Sequence, residues 1–96
     1  MIKVHFYDYG CGTLDVEKEL GITENAEEFF AKEIPGLEVE ADDCAYDMDD
    51  NLIIWYSAND EEQCMQKIQD IIKAHLSSQS HMQYTVRITS EYSWYD

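Results

Sequence analysis

The spacing of apolar residues along this chain switches between two and about 3.6, and the order of those switches restricts the fold more than any single motif does. "IKVHFYDY" alternates, with Ile2, Val4 and Phe6 on one side and Lys3, His5, Tyr7 and Tyr9 on the other, as a half-buried strand does. "GCGT" breaks it, and Thr13 caps a short acidic helical turn, "LDVEKELG", ended by Gly21. From Thr23, Ala26, Phe29, Phe30 and Ile34 recur at helical spacing until Pro35-Gly36 stops them. "LEVEAD" returns to period two, with Leu37, Val39 and Ala41 inward and Glu38, Glu40 and Asp42 outward. After the "DMDDN" turn, the β-branched and aromatic "LIIWYS" reads as a central strand in a hairpin with its predecessor. Asn59, with Glu62 three residues on, is a capping box for the helix carrying Cys64, Met65, Ile68, Ile71, Ile72, His75 and Leu76 on one stripe. The final strand sets Tyr84, Val86, Ile88, Tyr92 and Trp94 on one face.

That order, β-α-β-β-α-β, resembles the ferredoxin-like split βαβ arrangement. The expected fold class is therefore α+β: one domain over residues 1–96, built as a four-stranded antiparallel sheet with two helices on one face. If the helices cover the Val4 side, the other face presents His5 and Tyr7 to solvent, with Ile53 and Trp55 or their neighbours. RNA-recognition modules of this topology stack bases on aromatics at such positions, but they need basic surroundings to hold phosphates. Here the neighbouring strand supplies Glu38, Glu40 and Asp42, so direct nucleic-acid binding is not expected.

The charge is the second constraint. Net charge is −15, and it is placed unevenly: residues 1–62 hold 18 acids and 3 bases, residues 63–96 hold 3 of each. A disordered chain of that charge would be poor in apolar residues, whereas 45% of this one is hydrophobic, so the charge rides on a folded scaffold. Its focus is "EVEADDCAYDMDDN", with Glu38, Glu40, Asp42, Asp43, Asp47, Asp49 and Asp50 and no base among them. Residues i and i+2 of a strand stand about 6.6–6.8 Å apart on one face. Glu38, Glu40 and Asp42 are expected to form such a row, comparable in spacing to successive phosphates of a nucleic-acid strand. The helical acids Asp15, Glu17, Glu19, Glu24, Glu27, Glu28 and Glu33 enlarge the field.

Other chemistry fits less well. An EF-hand loop from Asp47 would need Gly and Glu where Leu52 and Ala58 stand, so no metal site is expected there. Cys11, Cys44 and Cys64, with His5, His75 and His81, show no zinc-ligand spacing. Three thiols, no C-x-x-C, no leader pattern and no membrane-length apolar run suit a reducing bacterial cytoplasm. Cys11 lies between glycines before a helix start, where backbone N–H groups lower a thiol pKa, but nearby acids oppose a thiolate. A small Cys-dependent enzyme is therefore only a third reading. Neither catalytic residues nor cofactors are expected.

In size, charge and interleaved tyrosines the chain resembles the small acidic inhibitors of phages and mobile elements, including anti-CRISPR proteins that mimic nucleic acid. The resemblance implies a non-catalytic inhibitor that occupies the nucleic-acid channel of a CRISPR effector. The residues expected to bind that basic partner are Glu38, Glu40, Asp42, Asp43, Asp47, Asp49 and Asp50, with Tyr46 and Trp55 as aromatic anchors. Tyr92, Trp94 and Tyr95 are further anchor types. An immunity protein that neutralises a cationic toxin nuclease has the same physics and is the alternative. The protein is expected to be a monomer or a homodimer.

Overall fold

A computed structural model describes residues 1–8, 14–41 and 52–90. Its elements are β1 (Ile2–Tyr7), α1 (Val16–Leu20), α2 (Ala26–Glu33), β2 (Glu38–Ala41), β3 (Leu52–Ser57), α3 (Glu61–His75) and β4 (Gln83–Ile88). The helix α1 is the short acidic helical turn expected between Leu14 and Gly21, so the order is the expected βαββαβ with two helices in the first crossover. The four strands form one antiparallel sheet in the order β2-β3-β1-β4. Each of the two crossovers, β1 to β2 and β3 to β4, thus passes over one intervening strand. That is the split βαβ pattern applied twice.

The alternation read from the sequence is realised on the helix side. Ile2, Val4 and Phe6 of β1 and Leu52, Ile54 and Tyr56 of β3 share one buried cluster with Phe29, Phe30, Ile68 and Ile72. Phe30 lies at its centre, stacked on Phe6 at 6.2 Å and edge-on to Tyr56 at 6.4 Å. In α3, Cys64, Ile68 and Ile72 are buried, while Met65, Ile71 and Leu76 pack at the margin, as the stripe predicts.

Local chemistry sets the helix ends. Asp15, Asn25 and Asp60 are the N-caps, and each carboxylate or amide oxygen accepts from the backbone N–H three residues on, at 3.1 Å. All three expected starts, Thr13, Thr23 and Asn59, are displaced by one or two residues, to Asp15, Asn25 and Asp60, because a neighbouring Asn or Asp caps as well or better. Thr13 lies outside the described residues. Gly21 closes α1 at φ 69°, with its own N–H bonded to Lys18 O and that of Ile22 to Glu17 O. This left-handed closure is one that glycine adopts without strain. Pro35 and Gly36, the latter at φ 86°, occupy the centre of a turn closed by Leu37 N–H to Ile34 O at 3.2 Å. Proline supplies the first central angle of a type II turn and glycine the second, so the dipeptide both stops α2 and aims the chain into β2.

Tyr56 ties β3 to α2. Its buried hydroxyl donates to Glu27 O at 3.0 Å, with Ala26 O at 3.5 Å. Burial, and then the charge of Glu27, push this phenol far above its usual range. Below about pH 10 the stabilisation is complete. Above that an unfolded chain sheds the proton while the folded one keeps it, so stability falls. Tyr56→Phe is expected to cost about 1 kcal/mol near neutrality, read from the urea midpoint, and to flatten the alkaline fall. Equal alkaline limbs in both proteins would show that another group governs it.

Candidate protein-binding surface

Among the described residues the acidic strand β2 forms one edge of the sheet, and its register is irregular. Glu38 pairs with Ser57 and Val39 with Tyr56, but the next partner, Trp55, stands opposite Ala41. Glu40 is therefore the extra residue of a β-bulge. Val39 is half-buried and packs on the helix-side core, so Glu38 faces away from the helices. In an even strand Glu40 would stand beside Glu38. Instead it lines a groove of about 330 Å³ with Asn25, Glu27, Glu28 and Val39, where β2 meets the start of α2. The expected row Glu38–Glu40–Asp42 is thus broken at its second member. Both glutamates remain exposed, but on different aspects of the strand. Asp42, Asp43, Tyr46, Asp47, Asp49 and Asp50 lie outside the described residues, as do Tyr92, Trp94 and Tyr95.

Several helical acids do structural work rather than simply enlarging a field. Glu17 Oε1 accepts from the N–H of Ala26 at 3.2 Å and so satisfies a donor at the N-terminus of α2. Glu19 accepts from the Ser80 hydroxyl at 2.6 Å, and Ser80 Oγ in turn accepts from Met82 N–H at 3.1 Å. That chain pins α1 to the segment entering β4. Asp15 and Asp60 are caps, and Glu24 stands 3.7 Å from Lys32. Glu27, Glu28, Glu61 and Glu62 occupy first helical turns, where the helix dipole favours negative charge. Part of the acidity thus stabilises the scaffold locally. Glu28, Glu33, Glu38, Glu40 and Glu62 are exposed.

The sheet face away from the helices is not open at its centre. Trp55 and Ile53 are 0% exposed, Lys3 2% and His5 7%, although none of the four belongs to the helix-side core. Cross-strand pairing places Lys3 between Trp55 and Arg87, and His5 between Ile53 and Thr85. Tyr7 is half-buried, with its ring 5.1 Å from that of His5. Trp55 is therefore an interior residue rather than an exposed anchor. Alternation assigns a side chain to a face, but whether that face meets water depends on distant parts of the chain. The burial of Lys3 carries no sequence signal at all, since it alternates like any solvated strand residue.

The remaining candidates are dispersed. Cys64 is buried in α3, and Cys11 and Cys44 lie outside the described residues. His75, at the end of α3, is exposed but anchored, with Nδ1 3.2 Å from Leu20 O and its ring edge-on to Phe29 at 5.3 Å. This is the boundary position that the apolar stripe suggests. His81 is exposed between α3 and β4. Among the described residues no three His, Cys, Asp or Glu side chains gather as metal ligands would, and no helix is long and apolar enough to cross a membrane. Comparison with protein families, with curated proteins and with solved structures returned no match for this chain.

Proposed function

We propose that this protein is a non-catalytic acidic inhibitor that binds the basic nucleic-acid-binding surface of a partner protein, in the manner of the anti-CRISPR nucleic-acid mimics it resembles in size and charge. The observation that carries this reading is the exposure of Glu38 and Glu40 on an edge strand, at the head of a stretch holding seven acids and no base. An edge strand is reachable by a partner along its length, and charge complementarity there accelerates encounter. The two glutamates point different ways, so the mimicry consists of a ridge of negative charge around the strand rather than a flat row on one face. Tyr46 and the five aspartates of the stretch remain assigned to the same contact.

The test is the rate of association with a purified CRISPR effector ribonucleoprotein, and separately with a cationic toxin nuclease, between low and high salt. Exposed charges are screened over about 8 Å at physiological ionic strength. The rate should therefore fall steeply as salt rises, with the effector's nuclease activity lost in proportion to occupancy. Inhibition of the toxin nuclease alone would make the protein an immunity factor. A rate indifferent to salt would remove the electrostatic argument for either partner.

A further inference from the structure

We propose that two copies of this chain pair through β4, edge to edge and antiparallel, extending the sheet to eight strands. The inference concerns the edge opposite the acidic one and does not depend on the reading above. Among the described residues no strand lies beyond β4. The backbone groups on its outer side follow from the register. Thr89 N–H donates to Met1 O at 2.9 Å, and Met1 N donates to Thr89 O at 3.0 Å. In an antiparallel ladder such doubly bonded pairs recur at every second residue. Arg87, Thr85 and Gln83, opposite Lys3, His5 and Tyr7, therefore turn their backbone groups toward β1. Tyr84, Val86 and Ile88 turn theirs outward.

Those three residues define a self-complementary pairing. With Val86 on a two-fold axis, it exchanges both backbone bonds with its own copy, and Tyr84 does so with Ile88 of the other chain. Side chains directly opposite across such a pair share a face. Ile88, the exposed large hydrophobic of the described residues at 43%, then comes against the half-buried ring of Tyr84. Thr85 comes opposite Arg87, so the two arginines do not face each other. A pairing centred on Arg87 would oppose them and is disfavoured.

Charge selects the partner. β4 carries Arg87 as its only charged residue, and residues 63–96 are neutral in sum. This is where two molecules of charge −15 meet with least repulsion. The other edge is blunted against such pairing by Glu38, Glu40 and the bulge, devices that protect edge strands. Pairing through β4 would leave two acidic edges facing outward at the ends of the extended sheet. At about 4.8 Å per strand they stand on the order of 34 Å apart, an arrangement suited to bivalent binding.

Sedimentation equilibrium across protein concentration and salt tests the proposal. The mass should rise to that of a dimer with concentration, and dimerisation should strengthen with salt, because screening relieves the repulsion between two acidic chains. Binding to a cationic partner has the opposite salt dependence. Hydrogen exchange should show the amides of Tyr84, Val86 and Ile88 becoming protected as the dimer forms. Ile88→Pro removes an outward donor without touching the β1 ladder, and Ile88→Glu sets a carboxylate against Tyr84 and adds negative charge to two chains that already repel. Both should shift the protein to monomer with its circular dichroism unchanged. A monomeric mass at every concentration and salt overturns the proposal. So does a dimer in which those three amides exchange freely, or one that survives either Ile88 substitution in a folded protein.

Discussion

Neutralising the seven acids of residues 38–51, Glu to Gln and Asp to Asn, is expected to slow association with the proposed cationic partner by roughly 10- to 100-fold at low salt. Electrostatic steering raises association rates by about 10 to 10³, and this stretch holds a third of the chain's acids. The fold should survive and gain stability at neutral pH, because crowded carboxylates repel one another. The control must avoid acids that hold the scaffold. Asp15, Asp60, Glu17 and Glu19 accept hydrogen bonds that fix α1, α2, α3 and the entry to β4, so removing them would confound binding with stability. Glu28, Glu33 and Glu62 are exposed helical acids suited to the comparison. Per charge removed, the hairpin set should slow association several times more than the helical set. Equal losses per charge would reduce the acids to a diffuse field and end the mimicry claim. Glu38→Gln and Glu40→Gln, made singly, then report which side of the bulged strand the partner touches.

Trp55→Ala should be the most damaging single substitution for stability, at about 3–5 kcal/mol, the usual cost of emptying a large buried aromatic site. Domains of this kind are stable by only about 5–15 kcal/mol, so a large share of the margin would be lost. The same substitution at an exposed anchor would leave stability within about 0.5 kcal/mol and act on binding alone. Chemical denaturation distinguishes the two outcomes directly. Trp55→Phe, which keeps most of the ring volume, should recover much of the loss. If Trp55→Ala leaves the urea midpoint unchanged, the outer face of the sheet is open in solution and Trp55 returns to the list of candidate contacts.

These two experiments fall where the sequence was least informative. The strands, their inward residues and the apolar stripe of α3 are legible because side-chain period is a local property. Ile2, Val4 and Phe6 must share a face whatever the rest of the chain does. The helix starts are legible to within a residue or two, since Thr23 competes with Asn25 and Asn59 with Asp60, and their cap strengths differ little. The turn at Pro35-Gly36 is legible outright, because one residue presets its angle and the next tolerates a positive φ. Of the candidate surface, its acidity and its place on a strand could be read, but its geometry could not.

The sequence alone determined that this chain folds as an α+β unit around one apolar cluster, and that its negative charge is concentrated before residue 63. Tertiary structure decided the rest. The bulge at Glu40 belongs to the pairing of β2 with β3, and no single strand encodes its own register. The burial of Trp55, Ile53, Lys3 and His5 on the far face is likewise not set by their local alternation, which is that of any solvated strand face. The use of Glu17 as a cap for α2 and of Glu19 as an acceptor for Ser80 depends on how helices and loops meet. Periodicity and composition act over a few residues, whereas register, burial and long-range hydrogen bonding exist only once the chain has closed on itself.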